Sequence, residues 1–297
     1  MNTRADAPSA ARDATSFALA LWQLTKPGVT RLVLVTCWLG AALADGPLQL
    51  RPALLTLLGT VLVVASANAL NMVLEQEVDG RMQRTKDRPL PSGRLTRDVA
   101  LPFGVALGVL GLLILYFFVN PLTTLLGAVS LFTYVLWYTP LKAKSSLALY
   151  VGAVPGAMPP VLGYTGVSGH LNFQAIALFL LMFVWQVPHF LAITIFRRDD
   201  YAAAGLQVMS VEQGIARTRV AIVISAFLAA LTSLVPAWAG LGGSVYPWVA
   251  VISGAAFAFW AWFGQSGRAV EVWARTVFFA SLPYIVLLFT VLAVCAA

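Results

Sequence analysis

The chain has 297 residues, of which 60% are hydrophobic and only 10% are charged, whereas roughly a quarter of the residues of a soluble domain are charged. This composition excludes an ordinary soluble domain and indicates a polytopic membrane protein. The net charge of +7 suits an anionic partner, but no segment has a motif for nucleic-acid recognition, so we expect no nucleic acid to bind. Cys37 and Cys295 lie in separate apolar stretches and predict neither a disulfide framework nor a thiolate metal site.

The first 16 residues contain four charges, Arg4, Asp6, Arg12 and Asp13, and no continuous apolar stretch. They lack the apolar stretch of a secretory signal and predict a cytoplasmic N-terminal tail of about 20 residues that is either mobile or lies at the membrane interface. Residues 21–297 are predicted to form one all-α intramembrane domain, a polytopic bundle of about nine transmembrane helices around a central cavity open to the cytoplasmic side. At about 20 residues per span, the helices are expected at residues 30–48, 54–74, 99–118, 121–139, 147–166, 172–195, 218–238, 246–264 and 277–296.

The basic residues predict the orientation of this bundle. With nine helices and the N-terminus inside, 18 of the 19 Lys and Arg residues fall on the inside and only Arg51 falls outside. Positively charged loops are retained on the cytoplasmic side of a membrane. We therefore expect the N-terminus and the loops with candidate site residues to face the cytoplasm.

The stretch from Asn71 to Gly93 contains the first candidate site. Asn71, Glu75 and Asp79 are spaced four residues apart, so on an α-helix of about 100° per residue they fall within an arc of roughly 80° on one face. Glu77 points away from that arc and is expected to be solvated. Three oxygen-bearing side chains on one face suit a hard cation such as Mg²⁺, and the alternative is a helix end that is merely hydrated.

Basic residues follow on a segment that two prolines and Gly93 convert into a loop. Such a loop can fold back over the helix end, where a phosphate-bearing ligand would be clamped by the basic residues Arg81, Arg84, Lys86 and Arg88. Lys142, after a later helix, is an equal candidate for a diphosphate contact and for a membrane-interface anchor. Lys26, before the first predicted helix, is interpreted as an interface anchor.

Two later segments carry unusual residues. The Gly- and Pro-rich run from Gly152 to Gly169 predicts either close helix packing or a broken helix that lines a cavity. The sixth predicted helix contains Gln186 and His189, about one turn apart. Polar groups inside a membrane span are functional candidates. For His189, the alternative is a packing role with a hydrogen bond to another helix residue. The exit of that helix adds Arg197, Arg198, Asp199 and Asp200.

The motif N-x-x-x-E-x-x-x-D-x-x-x-x-R-T-x-x-R-P-L-P-S-G that begins at Asn71 resembles the first aspartate-rich motif of the UbiA-type intramembrane prenyltransferases, which usually have Asp at the position of Glu75. The resemblance extends in helix number and motif placement over nearly the whole chain. The metal ligands that it implies are Asn71, Glu75 and Asp79, with Asp199 and Asp200 as further candidates. The diphosphate ligands that it implies are Arg84, Arg88, Lys142, Arg197 and Arg198.

The run W-Q-V-P-H-F from Trp185 and the run G-A-x-P-G-A-x-P-P-x-x-G-Y from Gly152 are similar to the haem-farnesylating branch of that superfamily. This branch departs from the aspartate-rich second motif of the quinone-type members, so Asp199 or Asp200 has the alternative role of ordering a neighbouring arginine. The resemblance implies transfer of a farnesyl group from farnesyl diphosphate to the 2-vinyl group of haem b with addition of water. Mg²⁺ would be the cofactor and haem b a substrate, and His189 and Gln186 would face the porphyrin.

The same resemblance implies work at the cytoplasmic face of a bacterial inner membrane. It makes a haem A synthase or a terminal-oxidase assembly factor a candidate partner, although no residue indicates one. One alternative function is prenylation of an aromatic quinone precursor such as 4-hydroxybenzoate, which would need cationic recognition of a small carboxylated ring. The other alternative function is transport. A transporter would place ionisable groups near the bilayer midplane, whereas the carboxylates of this chain are expected at helix ends.

Overall fold

The computed structural model describes residues 9–264 and 268–295, with side chains from residue 16 onwards. Regular secondary structure in these ranges is helical throughout. The helices are α1 Ser9–Leu24, α2 Pro27–Ala42, α3 Leu50–Leu74, α4 Gln76–Arg81, α5 Arg97–Phe118, α6 Pro121–Phe132, a π-helical segment Thr133–Tyr138, α7 Thr139–Leu141, α8 Ala148–Ser168, α9 Phe173–Phe196, α10 Arg198–Ala203, α11 Met209–Glu212, α12 Ile215–Thr232, α13 Val235–Trp238, α14 Tyr246–Phe263 and α15 Val270–Cys295.

The predicted all-α polytopic architecture is confirmed. Within the described ranges, seven helical segments are long and apolar enough to cross a membrane: Leu50–Leu74, Arg97–Phe118, Pro121–Leu141, Phe173–Phe196, Ile215–Trp238, Tyr246–Phe263 and Val270–Cys295. The shorter apolar helix α2 and the Gly- and Pro-rich helix α8 occupy the two remaining predicted positions. The count of nine spans stays a prediction.

Helix α9 lies in the middle of the larger core, where it packs against α8, α12 and α15. Leu181 and Trp185 of α9 belong to one buried cluster with Ile222 of α12 and Trp273 of α15. Helices α3 and α5 form a second closely packed pair. Because lipid tails are as apolar as leucine, close packing between the helices holds such a bundle together inside a membrane.

Helices α2 and α8 approach each other at two glycines. A Cβ atom at Gly40 would meet the carbonyl of Pro160, and a Cβ atom at Gly163 would meet the carbonyl of Cys37. Small residues at such contacts let two backbones come together. Helix α8 runs without a break despite its three prolines, so the Gly- and Pro-rich segment provides close packing, and the broken-helix alternative is wrong.

The N-terminal segment differs from the predicted tail of 20 residues. Helix α1 begins at Ser9, and its Ala20 and Leu24 are buried in a cluster with Met72 of α3. The alanines between residues 9 and 20 favour a helix by intrinsic propensity. This propensity does not require an apolar stretch, so the absence of such a stretch does not exclude a helix. Residues 1–8 of the predicted tail lie outside the described residues.

The candidate site residues gather at one end of the bundle, which we call the polar end. It is formed by the start of α2, the junction of α3 with α4, the connection from α7 to α8, the exit of α9 into α10, and the start of α15. A small apolar cluster joins the loop after α4 to the segment after α10, and it consists of Val78, Met82, Tyr201, Ala204 and Leu206. The amide of Gln207 also donates to the carbonyl oxygen of Lys142 at 3.1 Å, so loops that are distant in sequence meet at this end.

Candidate active site

Asn71, Glu75 and Asp79 lie on one helical face, although the helix is interrupted at Glu75 between α3 and α4. The amide of Glu75 donates to the Asn71 carbonyl oxygen at 2.8 Å, and the amide of Asp79 donates to the Glu75 carbonyl oxygen at 2.7 Å. These bonds continue the i to i+4 register of an α-helix across the break. The three residues are buried, with exposed fractions of 2%, 6% and 2%, whereas Glu77 is exposed, as predicted.

Each of these three side chains is contacted by one basic residue. The pairs are Arg88 Nη1 with Asp79 Oδ2 at 2.6 Å, Lys142 Nζ with Glu75 Oε1 at 3.1 Å, and Lys26 Nζ with Asn71 Oδ1 at 2.9 Å. Buried carboxylates need such partners because an unpaired charge away from water is costly. We call these six residues the paired cluster, and it brings three oxygen donors and three cations to one place.

Lys26 enters this cluster although the sequence indicated an interface anchor. Its backbone has φ 48°, a left-handed conformation that residues other than glycine seldom adopt. Burial, and next the positive charge of Arg88, lower the pKa of its ammonium group to about 7. The Lys-Pro-Gly sequence did not reveal this contact because the same residues begin many membrane helices.

Asn71 has a second partner that no sequence pattern revealed. Its Nδ2 atom donates to the hydroxyl of Thr139 at 3.1 Å, and that hydroxyl donates to the carbonyl oxygen of Tyr134 at 2.8 Å. Thr139 follows the π-helical segment directly, and Pro140 next to it lacks an amide hydrogen for a regular α-helical bond. The wider turn of the π-helical segment therefore determines where Thr139 meets Asn71. Short π-helical segments within α-helices are frequent at functional sites.

The basic loop folds back over the end of the helix, as its prolines predicted. The hydroxyl of Thr85 donates to the carbonyl oxygen of Asp79 at 2.8 Å, and Nε2 of Gln76 donates to the carbonyl oxygen of Leu90 at 3.3 Å. Leu90 is itself buried. These bonds hold the loop in the position where Arg88 meets Asp79.

An open cleft of about 310 Å³ lies at the polar end as well. Its lining combines three arginines with apolar side chains: Arg84, Arg197, Arg275, Ile193, Phe196, Phe278 and Phe279. We call it the arginine cleft. Arg84 and Arg197, both predicted to bind diphosphate, lie here, and among the described ion pairs neither joins the paired cluster.

His189 is buried next to this cleft, with 8% of its surface exposed. Its ring stacks on Trp185 at a centroid distance of 4.9 Å and on Phe278, a residue of the cleft wall, at 4.5 Å. Its Nδ1 atom is 2.7 Å from the hydroxyl of Ser281, and that hydroxyl is 2.6 Å from the carbonyl oxygen of Phe278. A carbonyl only accepts, so the serine proton points to Phe278 and Nδ1 of His189 donates to the serine oxygen.

The ring of His189 therefore carries its proton on Nδ1 and a lone pair on Nε2. No described residue makes a hydrogen bond with Nε2. A neutral imidazole with a free Nε2 can ligate a metal centre or accept a proton. Ser281 lies on α15, a helix for which the sequence predicts no functional residue.

Gln186 occupies a narrow site between α8 and α9. Its Nε2 atom donates to the carbonyl oxygens of Met182 at 2.9 Å and Ala153 at 3.3 Å. A Cβ atom at Gly156 would collide with its Oε1 atom. The glycine is therefore required for the position of Gln186, which is only 4% exposed.

The charged residues after α9 are not gathered around a metal position. Arg197 Nη1 is 3.7 Å from Asp200 Oδ2. Asp200 therefore has the alternative role named above, the ordering of a neighbouring arginine. Arg198 Nε donates to the carbonyl oxygen of Ser210 at 3.0 Å, which fastens the following segment. Asp199 is exposed.

The paired cluster fits a hard cation only when a ligand supplies further oxygens. In the described part of the chain, no three His, Cys, Asp or Glu side chains come together in a way that could hold a metal ion. Glu75 and Asp79 with the amide oxygen of Asn71 form a smaller oxygen set. Mg²⁺ commonly binds one or two carboxylates, several waters and substrate phosphates, so these donors suit it beside a diphosphate.

Comparison with known proteins identifies the family. Residues 33–282 match the UbiA prenyltransferase family. The chain belongs to the UbiA prenyltransferase family. It is 45% identical over 291 residues to a protoheme IX farnesyltransferase from Anaeromyxobacter sp. (strain Fw109-5), an alignment that covers 98% of each chain.

Solved structures show the same fold as this UbiA family member. A structure of digeranylgeranylglyceryl phosphate synthase superposes with a TM-score of 0.77 at 17% identity, covering 96% of this chain and 99% of the other. A UbiA homologue from Archaeoglobus fulgidus bound to DMAPP and Mg²⁺ superposes with a TM-score of 0.67 at 18% identity, covering 92% and 99%. Membership of a prenyltransferase family decides against the transporter alternative.

Proposed function

We propose that this prenyltransferase moves a farnesyl group from farnesyl diphosphate to the 2-vinyl group of haem b, with addition of water, to give haem O and diphosphate. The observation that carries the proposal is the 45% identity, over almost the full length of both chains, to a protoheme IX farnesyltransferase. The geometry of the polar end supports it, because cation-paired oxygen donors and a buried histidine beside an aromatic-lined cleft lie together there.

The paired cluster is the proposed site of the donor. When the diphosphate arrives, Lys26, Lys142 and Arg88 turn from Asn71, Glu75 and Asp79 to the phosphate oxygens, and their charge stabilises the leaving group. The side-chain oxygens that this movement frees, on Asn71, Glu75 and Asp79, would hold Mg²⁺. That ion would neutralise negative charge on the departing diphosphate.

The reaction balances without a redox partner. The bond between farnesyl C1 and the diphosphate oxygen breaks, and its electron pair leaves with the diphosphate. The terminal carbon of the haem vinyl group then uses its π electrons to bond to farnesyl C1. Water adds to the remaining cationic carbon beside the porphyrin ring and loses a proton. The apolar helices around the site restrict water until the acceptor has met the farnesyl cation.

The acceptor is proposed to lie in the arginine cleft and against His189. The Nε2 lone pair of His189 is available as an axial ligand for the haem iron, and Ser281 holds the ring in that orientation. The rings of Trp185 and Phe278 complete the apolar wall, and Gln186 is the proposed polar contact to the porphyrin. A small aromatic acid such as 4-hydroxybenzoate needs no metal ligand, which favours haem over that acceptor.

The cellular setting is part of the same proposal. The seven apolar segments in the described ranges support a multi-pass membrane protein, and we place it in the inner membrane of a bacterium. The distribution of basic residues supports a cytoplasmic position for the N-terminus and the polar end. A haem A synthase or a terminal-oxidase assembly factor remains a candidate partner.

A transfer assay tests the proposal. Purified protein in nanodiscs receives Mg²⁺, radiolabelled farnesyl diphosphate and either haem b or 4-hydroxybenzoate, and the products are separated by chromatography. We expect the label in a haem-derived product and none in 4-hydroxybenzoate, with no transfer when a chelator removes the metal. Label in prenylated 4-hydroxybenzoate without any in haem would overturn the proposal.

A further inference from the structure

The arginine cleft contains more positive charge than the described residues neutralise. Three guanidinium groups line it, from Arg84, Arg197 and Arg275. Arg197 has one carboxylate partner, Asp200, at 3.7 Å, whereas neither Arg84 nor Arg275 has an ion pair among the described residues. The three guanidinium groups carry three positive charges, and Asp200 neutralises one of them. Two positive charges therefore remain in a space of about 310 Å³.

The walls of the cleft suit a flat, apolar molecule. The guanidinium of Arg275 lies over the ring of Phe196, 5.5 Å from its centroid, and Phe196 meets Phe278 edge to face at 5.7 Å. Phe278 in turn contacts the ring of His189 at 4.5 Å. A continuous line of contacts thus leads from the arginine to the histidine.

The donor already has its own basic residues. Lys26, Lys142 and Arg88 contact the oxygen donors of the paired cluster, and none of them lines the arginine cleft. The polar end therefore contains two distinct groups of cations. A reaction that brings one diphosphate and one porphyrin dicarboxylate together needs two such groups.

We propose that the arginine cleft binds the two propionate carboxylates of the haem acceptor and that Arg275 is a specificity-determining residue for this contact. The inference rests on the proposed function, because it names how that acceptor is recognised. Guanidinium groups bind carboxylates through paired, charge-assisted hydrogen bonds. The macrocycle would extend from the carboxylates across Phe278 towards His189, with its vinyl edge left for the donor.

The test compares haem b with its dimethyl ester, which keeps the macrocycle, the iron and the vinyl groups but has no carboxylate. Wild-type and Arg275→Gln protein are placed in nanodiscs of neutral phosphatidylcholine, and binding of each porphyrin is followed by its Soret absorption without any farnesyl donor. We expect wild-type protein to prefer haem b to the ester by about tenfold or more. Arg275→Gln should lose most of this preference by weakening haem b alone.

Arg268→Gln is the matched control. Arg268 lies just before α15, and its guanidinium is 5.3 Å from the ring centroid of Trp260, outside the cleft. Its substitution removes the same charge from the same region and should leave the preference unchanged. Circular dichroism and the thermal midpoint of both variants show whether each is folded.

Three results would overturn the inference. The first is an equal loss of haem b and ester binding in Arg275→Gln, which would indicate packing rather than carboxylate recognition. The second is an unchanged preference for haem b in Arg275→Gln, which would show that Arg275 does not bind the carboxylates. The third is equal binding of haem b and its ester by wild-type protein, which would show that the arginine cleft does not recognise carboxylates. Because binding is read without turnover, failure of the transfer assay in wild-type protein remains a separate result.

Discussion

At Asp79, a carboxylate that is only 2% exposed meets Arg88 at 2.6 Å, and two residues earlier Glu77 points outwards. The two side chains have the same charge and stand on the same short helix α4, yet only one faces the paired cluster. This contrast separates a buried, paired carboxylate from a solvated one. It makes the pair a natural test of the donor site.

Asp79→Asn should lower the initial rate of transfer by about 100-fold or more, because the amide keeps the shape but loses the charge that holds Mg²⁺ near the diphosphate. Glu77→Gln, the matched control, should keep the rate within about twofold because its side chain is exposed. Rates are measured with labelled farnesyl diphosphate and haem b. Equal rates for Asp79→Asn and wild type would show that the buried carboxylate is only structural.

Ser281 is proposed to position His189 without contacting the substrate itself. Ser281→Ala removes the acceptor for Nδ1 and frees the ring to change tautomer, so we expect kcat/KM for haem b to fall by about tenfold or more. The Soret band of bound haem should shift, while the KM for farnesyl diphosphate should not change. Ser253→Ala, which removes a serine that bonds only within α14, is the control. An unchanged Soret band would contradict the positioning role.

At the scale of elements, the spacing of Asn71, Glu75 and Asp79 was sufficient to predict a common face, because helical register depends on local hydrogen bonds. The prolines likewise predicted the folded-back loop. The start of α15 was not predicted, since its charges suggested a loop until residue 277, whereas the helix begins at Val270. Arg275 precedes the helix predicted from residue 277, so its place in the cleft is visible only in the structure.

The packing of α8 against α9 gives an element-scale prediction. Gly156→Ala forces the buried amide of Gln186 to move and to give up its two backbone hydrogen bonds, so it should destabilise the protein by about 1–3 kcal/mol. In Gly28→Ala, the control in α2, the new Cβ meets nothing within 4 Å, so the midpoint of thermal unfolding should stay the same or rise slightly. Thermal scans of both variants in one detergent make the comparison. A midpoint for Gly156→Ala equal to that of wild type would refute the tight contact.

At the scale of the molecule, composition and the distribution of charge were sufficient to predict an all-α membrane bundle with its polar residues at one end. Contacts between distant parts of the chain were not predictable. Ser281 and His189 are 92 positions apart, and Lys26 and Asn71 are 45 apart. Single serines and lysines at helix ends are common, so only the tertiary packing distinguishes these from their neighbours.

The proposed function places donor, acceptor and water exclusion at the polar end of the bundle, and the product should record all three. The direct test is mass spectrometry of the product made from haem b and farnesyl diphosphate in water enriched in ¹⁸O. We predict a haem heavier by one farnesyl group and one hydroxyl group, with the heavy oxygen in that hydroxyl group. Unchanged haem accompanied by labelled farnesol, or a prenylated haem without oxygen from water, would contradict the account.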